Sequence, residues 1–354
     1  YIKIKMNLKK IGFVKILESP HNHSYKYKLS NTNLRVADKK DVKIVKEILN
    51  FFLDINKNYQ TYSGEWEYLN KTKRQNYLKA LLKADIKKLV SIFSNLFRND
   101  ISYGIVTPSY YDIVNKEKFK SQILQDIDTA IEFSNLKYLK QISLNKNIGN
   151  PFGIDIKNRI VMPDTPRHSY FASKIKNYAK NKNNFKFLEI GGGYGGLARI
   201  LFNFNKKITY FSIDLLEGCF IQYYFLKKCG FKVNLVKKVE DIRQKQINLI
   251  VFDKELKILK KIGKCDFVFN SRSFSEMDKN ILNKYINVIN NFIKPNYIYH
   301  ENSNFLLFPK SKRHIEILGK DFKFSKKKYN LEYFNISPFS GGSGRYREFF
   351  YKKI

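Results

Sequence analysis

The chain has 354 residues, 43% of them hydrophobic and 16% aromatic, and its 66 Lys and Arg outweigh 31 Asp and Glu for a formal net charge of +35. That length exceeds the common single-domain range, and that apolar content excludes a disordered chain, so two units with at least one large core are expected. Cys219, Cys229 and Cys265 lack paired spacing, which excludes a disulfide framework and suits a reducing compartment, the cytoplasm by default. No apolar run approaches the ~20 residues of a membrane span. The lysines are spread along the whole chain among Asn, Ile, Phe and Tyr, the signature of A- and T-rich codons. Their field would attract acidic glycans, nucleotides or, peripherally, an anionic membrane face, and does not by itself specify nucleic acid. The first residue is Tyr rather than Met, so a preceding targeting segment is compatible with the sequence.

Residues 1–36 suggest a short hairpin at Gly12–Leu17 and an Asn-rich loop around His21 and His23, which read as solvated loop histidines rather than metal ligands. From Asp38 to about Leu139 the pattern is helical. Ile44, Val45, Ile48, Leu49 and Phe52 share one face behind Asp38, a candidate N-cap. Three further segments follow, around Tyr77–Leu82, Ile86–Phe97 and Phe119–Tyr138, with no fixed repeat. Residues 1–145 are therefore expected to form a mainly helical cap that helps bind substrate. Trp66, the only tryptophan, either stacks on a sugar or anchors a core or interface. Residues 144–169 form a Gly-, Pro- and Asn-rich ordered connection. Ser169 can cap a helix starting at Tyr170, which puts Arg167 and His168 just before it.

Residues 185–201 carry the strongest signal. An apolar strand ends in Glu189-Ile190, runs into Gly191-Gly192-Gly193-Tyr194-Gly195-Gly196, and the turn opens a helix with Leu197, Ile200, Leu201 and Phe204 on one face. Gly191, Gly193 and Gly196 satisfy G-x-G-x-x-G in the strand-turn-helix setting that gives the spacing meaning. Asp214 closes the next apolar run, where an acidic group meets ribose hydroxyls. The alternation continues through a helix from Leu216 to Lys228, a segment at Phe231–Val236 that is either edge strand or crossover, and strands at Ile247–Phe252, Cys265–Asn270 and Tyr297–Glu301. A helix runs from Asp278 to Lys294, and two tail strands flank Pro338–Gly344. The expected fold is α/β, a mostly parallel Rossmann-like sheet with an antiparallel C-terminal edge, over residues 146–354.

Spacing alone leaves open a nicotinamide or flavin dinucleotide, or a turn that merely needs small residues. However, Leu188-Glu-Ile-Gly-Gly-Gly-Tyr-Gly195 resembles the first motif of class I S-adenosylmethionine (SAM) methyltransferases, acidic residue included. A carboxylate beside the turn suits the ammonium and sulfonium of SAM and would repel a pyrophosphate. Glu189, Gly191, Gly193 and Gly196 would shape the SAM pocket and Asp214 would hold its ribose. Asn270 and Ser271 would border its adenine or methionine end. Asn270-Ser-Arg-Ser-Phe-Ser-Glu-Met-Asp278 and Pro338-Phe-Ser-Gly-Gly-Ser-Gly-Arg-Tyr-Arg-Glu348 are similar to the sugar O-methyltransferase family of bacterial polysaccharide clusters, as are Gly149–Gly153 and Arg167–Tyr170. That resemblance covers roughly residues 60–352. It implies a sugar or glycan acceptor, on a surface polysaccharide or a nucleotide- or lipid-linked precursor.

Methyl transfer to a hydroxyl needs in-line positioning and a group to take the proton. His300, Glu276 and His168 are the candidates, with Glu301 beside them. Glu276, Asp278 and Glu301 lack a spacing diagnostic of a metal site, and none is expected. The competing class is an RNA or DNA methyltransferase, motivated by the charge. Such enzymes carry Asn/Asp-Pro-Pro-Tyr where this chain has Asn270-Ser-Arg-Ser-Phe, which argues against a nucleic-acid partner. A non-catalytic scaffold on the same fold is the third possibility.

Overall fold

Strand alternation sorts the aromatic-rich core into two layers. In the computed structural model, residues 26–30, 33–55, 65–106, 116–134, 142–180, 182–305, 317–340 and 344–354 are described. The Gly12–Leu17 hairpin, His21, His23, residues 135–139 and Gly341–Ser343 lie outside them.

Helices α1 (Lys39–Ile55), α2 (Glu65–Thr72), α3 (Gln75–Leu82), α4 (Ile86–Ser94) and α5 (Lys116–Ser134) make up most of the described N-terminal residues. Asp38 caps α1 as expected: its Oδ1 accepts from the Asp41 amide at 2.9 Å, and Asp41 Oδ2 accepts back from the Asp38 amide at 2.8 Å. A small antiparallel sheet follows, of β1 (Lys28–Leu29), β2 (Leu144–Asn145), β3 (Ile154–Ile156) and β4 (Arg159–Val161), in the order β1-β3-β4-β2. The boundary expected between 145 and 146 thus runs through this sheet, because β2 pairs with β4.

The main sheet holds β5 (Lys186–Ile190), β6 (Thr209–Asp214), β7 (Val233–Val236), β8 (Ile247–Val251), β9 (Phe267–Ser271), β10 (Tyr297–Ser303), β11 (Tyr329–Ile336) and β12 (Tyr346–Lys353). Its order is β11-β12-β10-β9-β5-β6-β8-β7; β5 to β10 are parallel, and β12 and β11 close the edge antiparallel. This is the expected Rossmann-like arrangement. Phe231–Val236 resolves as the parallel edge strand β7. From β5 the chain steps outward to β6, then returns to β9 on the other side, so the topological switch lies between β5 and β9.

Successive side chains take opposite faces. Phe187, Tyr210, Phe267, Phe269 and Tyr299 join one core with α6 (Thr165–Ala179), α7 (Gly196–Phe204) and α8 (Leu216–Lys228). Leu188, Phe211, Val268 and Ile298 join another with α9 (Lys257–Lys261), α10 (Ser273–Glu276) and α11 (Lys279–Val288). The first core is continuous with the N-terminal helices, since Ile44, Phe52, Tyr77 and Phe93 belong to it. Tyr224 on α8 donates to Asp41 at 2.6 Å, and Lys228 reaches the same carboxylate at 2.7 Å.

Two helix limits differ from expectation. α6 starts at Thr165, with Pro166 in its first turn, so Arg167 and His168 lie within the helix rather than before it. Proline is pre-set for a first turn, and that signal outweighs Ser169 as a cap. The helix after Asp278 is α-helical only to Val288, then widens into a π turn over Ile289–Ile293. Pro295 disfavours helical geometry for the residue before it, and Lys294 takes φ +44°.

Candidate active site

A cavity of about 270 Å³ opens at the carboxyl ends of β5, β6 and β9, the place where an open α/β sheet binds ligands. Its floor is the glycine turn. Gly191 has φ +74° and Gly193 φ +58°, conformations that penalise any side chain. A Cβ on Gly191 would come within 2.2 Å of Ser273 Oγ, whereas one on Gly193 would meet only Ile105, at 3.7 Å. Gly191 is therefore bare for packing, and Gly193 keeps the cavity open.

Two carboxyls line this half, Glu189 buried and Asp214 half-buried. Tyr210 donates to Glu189 at 2.5 Å. Burial pushes the Glu189 carboxyl up to about 8 against the pull of that bond. Asp214 accepts from the Leu215 amide and from Gln222 Nε2, both at 2.8 Å. Burial pushes it up to about 7, with the Leu215 amide pulling the other way. Leu215, Phe252, Ile281 and Tyr285 add an apolar slot beside Asp214.

The opposite half is built by α6 and the loop after β9. Arg167 Nη1 donates to Glu301 Oε2 at 3.1 Å and to Ser271 Oγ at 2.5 Å. Arg272 holds the unusual φ of +69° and lays its guanidinium 4.0 Å from the centre of the Tyr346 ring. His168 faces the cavity with Nδ1 3.3 Å from the Tyr194 hydroxyl. Burial, reinforced by the Arg167 charge, pushes its imidazole down to about 3, so the ring is neutral at neutral pH. Asp164 and Glu276 complete this wall.

Of the residues expected at the cofactor, Glu189, Gly191, Gly193, Asp214 and Ser271 line the cavity. Gly196 and Asn270 stand behind it. A Cβ on Gly196 would strike His168 at 2.3 Å, so this glycine gives His168 its room. Asn270 Nδ2 donates to the Ile190 carbonyl at 2.8 Å and accepts at Oδ1 from Asn302, tying β9 to β5 and β10.

Of the proton-accepting candidates, His168 and Glu276 line the cavity and His300 does not. His300 is fully buried on the other face of the sheet, stacked 4.5 Å from Phe349 and tilted against Phe322 at 4.9 Å. Strand alternation accounts for this, since Glu301 turns toward α6 and its neighbour His300 must turn away. Glu301 is also wholly buried, bound by Ser271, Ser337 and both arginines. The sequence reading did not single out Arg272 or Tyr346, whose partners are remote in the chain. Among the described residues no three His, Cys, Asp or Glu converge as a metal site, and no helix is long and apolar enough to cross a membrane.

No protein-family model matches the chain, and no curated protein matches it. Solved structures similar to it include the methyltransferase domain of bacterial CtHen1-C, 18% identical, covering 51% of this chain and 96% of its own, with TM-score 0.38. MtNAS in complex with MTA and tNA is 8% identical and covers 88% of this chain and 97% of its own, with TM-score 0.37. The glycopeptide N-methyltransferase MtfA, complexed with (S)-adenosyl-L-homocysteine, is 11% identical over 52% of this chain and 89% of its own, with TM-score 0.36.

Proposed function

We propose that this chain is a SAM-dependent O-methyltransferase whose acceptor is a sugar hydroxyl, on a surface glycan or its nucleotide- or lipid-linked precursor. The observation that carries the donor half is the meeting of Glu189, Asp214 and the glycine turn in one cavity at the switch point. The donor set suits SAM: two carboxyls for a ligand with two cationic centres and ribose hydroxyls, and an open cradle at Gly193 where a Cβ would intrude. A pyrophosphate there would face the same carboxyls, which weighs against a dinucleotide. Bound, SAM supplies an electrophilic methyl group on its sulfonium.

The residues divide the work accordingly. Asp214 takes the ribose hydroxyls, Leu215 and Phe252 flank the adenine, and Glu189 faces the cationic end. Tyr346, backed by Arg272, offers a flat face for a sugar ring, with Arg167 and Asp164 as hydrogen-bonding partners. His168 takes the hydroxyl proton in the tautomer whose Nδ1–H donates to the Tyr194 oxygen, which leaves the Nε2 lone pair for the acceptor. The N-terminal helices complete the catalytic domain. A cytoplasmic setting accords with the three free cysteines.

Calorimetry with SAM tests the donor half. Binding by the wild type that Asp214→Ala and Gly193→Val abolish supports it, and NADH binding in place of SAM overturns it. Transfer of labelled methyl is then screened on nucleotide sugars, glycans and, because of the +35 charge, an RNA oligonucleotide. Label on RNA alone would replace the sugar reading with the nucleic-acid one.

A further inference from the structure

Trp66 sits on α2, outside the α/β part of the chain, yet it lines the cavity together with Gly104 and Ile105. It is held there by a built support. The Arg74 guanidinium lies 4.6 Å from its ring centre, and Arg74 is 1% exposed and donates to the Tyr103 carbonyl. A Cβ on Gly104 would approach the indole to 3.4 Å and Leu69 to 2.6 Å, so the 103–105 backbone lies directly against α2. Asn70, one turn along α2, donates at 2.9 Å to Glu217 in the first turn of α8. This wall is therefore joined to the element that follows Asp214. Ile105 is the neighbour that a Gly193 side chain would meet.

These contacts locate Trp66 on the side of Gly193 and Asp214, whereas Arg167, His168, Arg272 and Tyr346 are grouped by their own contacts around Glu301 and α6. The Arg74 charge, packed beneath the indole, also bears on the Asp214 carboxyl.

We propose that Trp66 and Ile105 form a wall of the methyl-donor site, over its ribose and methionine portion, so that the N-terminal helices serve the donor rather than the acceptor. The inference rests on the SAM reading above. A rigid indole supplies a large contact face at little cost in lost conformational freedom. It also makes a donor site out of two segments of chain, with no donor-side wall at this point unless α2 and the 103–105 turn are in position.

The single tryptophan makes the test direct, because its emission is reported without contribution from another indole. S-adenosylhomocysteine is titrated into the full chain, with fluorescence and calorimetry followed in parallel. The expected result is a saturable change in Trp66 emission whose midpoint equals the calorimetric one. Trp66→Ala should weaken binding about tenfold, about 1.4 kcal/mol, and Trp66→Phe by less than about threefold. Calorimetric binding with unchanged emission and an unaltered Trp66→Ala affinity would overturn the wall assignment while the SAM reading stands. Absence of binding by the folded wild type would overturn both. Should Trp66→Ala fail to fold, the wild-type emission decides alone.

Discussion

Arg167 donates to Glu301 at 3.1 Å across 134 residues of chain, and the carboxylate that receives it is wholly buried. Arg272 approaches the same oxygen at 3.4 Å, Ser271 donates to it at 2.8 Å, and Ser337 donates to the other oxygen at 2.6 Å. Burial alone would push Glu301 up, but the two guanidiniums and the hydroxyls outweigh it and hold the carboxyl below its usual range. A carboxylate fixed on every side orients the arginines of the acceptor half and is poorly placed to accept a substrate proton.

Removing Glu301 should therefore damage the fold before the chemistry. Glu301→Ala leaves Arg167 with only the half-buried Asp164 as countercharge, a change that costs at most about 3–5 kcal/mol. Glu301→Gln keeps one accepting oxygen for the donors around it and should cost less. Urea midpoints at constant slope measure the difference. Because the folded-state pKa lies below the unfolded one, this contribution is complete above about pH 4.5 and fades as pH falls through the lower folded value. Equal midpoints for Glu301→Ala and wild type would show that the cluster contributes nothing.

The glycine turn separates packing from ligand space. Gly191→Ala drives a Cβ to 2.2 Å from Ser273 Oγ at positive φ, and should lose more than the ~1–2 kcal/mol of the backbone penalty. Gly193→Ala carries the backbone penalty alone, because its Cβ meets only Ile105 at 3.7 Å. It should keep the fold and weaken SAM binding, and Gly193→Val should abolish it. Thermal unfolding and calorimetry on the same samples check both halves. An intact SAM affinity in Gly193→Val would sink the proposed cradle.

How far the sequence could be read follows from how local each signal is. Glu189, the glycines and Asp214 fall on one strand-turn-helix-strand unit, so period and spacing were enough to bring them together. Arg272 could not be read that way. Its positive φ occurs with no glycine to mark it, and its partners Glu301 and Tyr346 lie on other strands. Pro166 is a legible local signal for the start of α6 and outweighs Ser169 as a cap. The side of the sheet a strand residue faces depends on which helix or strand covers it, and that information is absent from the segment Tyr297–Ser303 itself.

Ligand binding should depend on pH through the two cavity carboxyls. Asp214 and Glu189 titrate near 7 and 8 in the free protein. A cationic ligand favours their ionised forms, so binding releases protons and affinity rises from pH 6 toward pH 8. For the free protein the sign is opposite. Both groups hold protons in the folded state that the unfolded chain has already lost, so stability falls as pH rises across that window. Calorimetry in buffers of different ionisation enthalpy counts the protons. A SAM affinity independent of pH between 6 and 8 would refute the role given to these two groups.

His300 and His168 invite a direct contrast. Burial pushes His300 down to about 3, and its Nε2 has no hydrogen-bond partner within the aromatic stack. The unfolded chain binds a proton there near pH 6.5 and the folded chain does not, so folding is penalised as pH falls below that value, by about 1.4 kcal/mol per pH unit until the folded pKa is reached. His300→Phe keeps the stack on Phe349 and Phe322 and removes the titrating group. It should lower the pH of acid unfolding and leave SAM binding and methyl transfer unchanged. His168→Phe should remove proton acceptance at the cavity, lowering turnover about 10²-fold or more while SAM still binds. Acid titrations followed by circular dichroism check the His300 prediction, SAM calorimetry checks that both variants still bind the donor, and methyl transfer to the acceptor distinguishes the two positions. Loss of SAM binding in a folded His300→Phe would place His300 in the site after all, contrary to its position on the far face of β10.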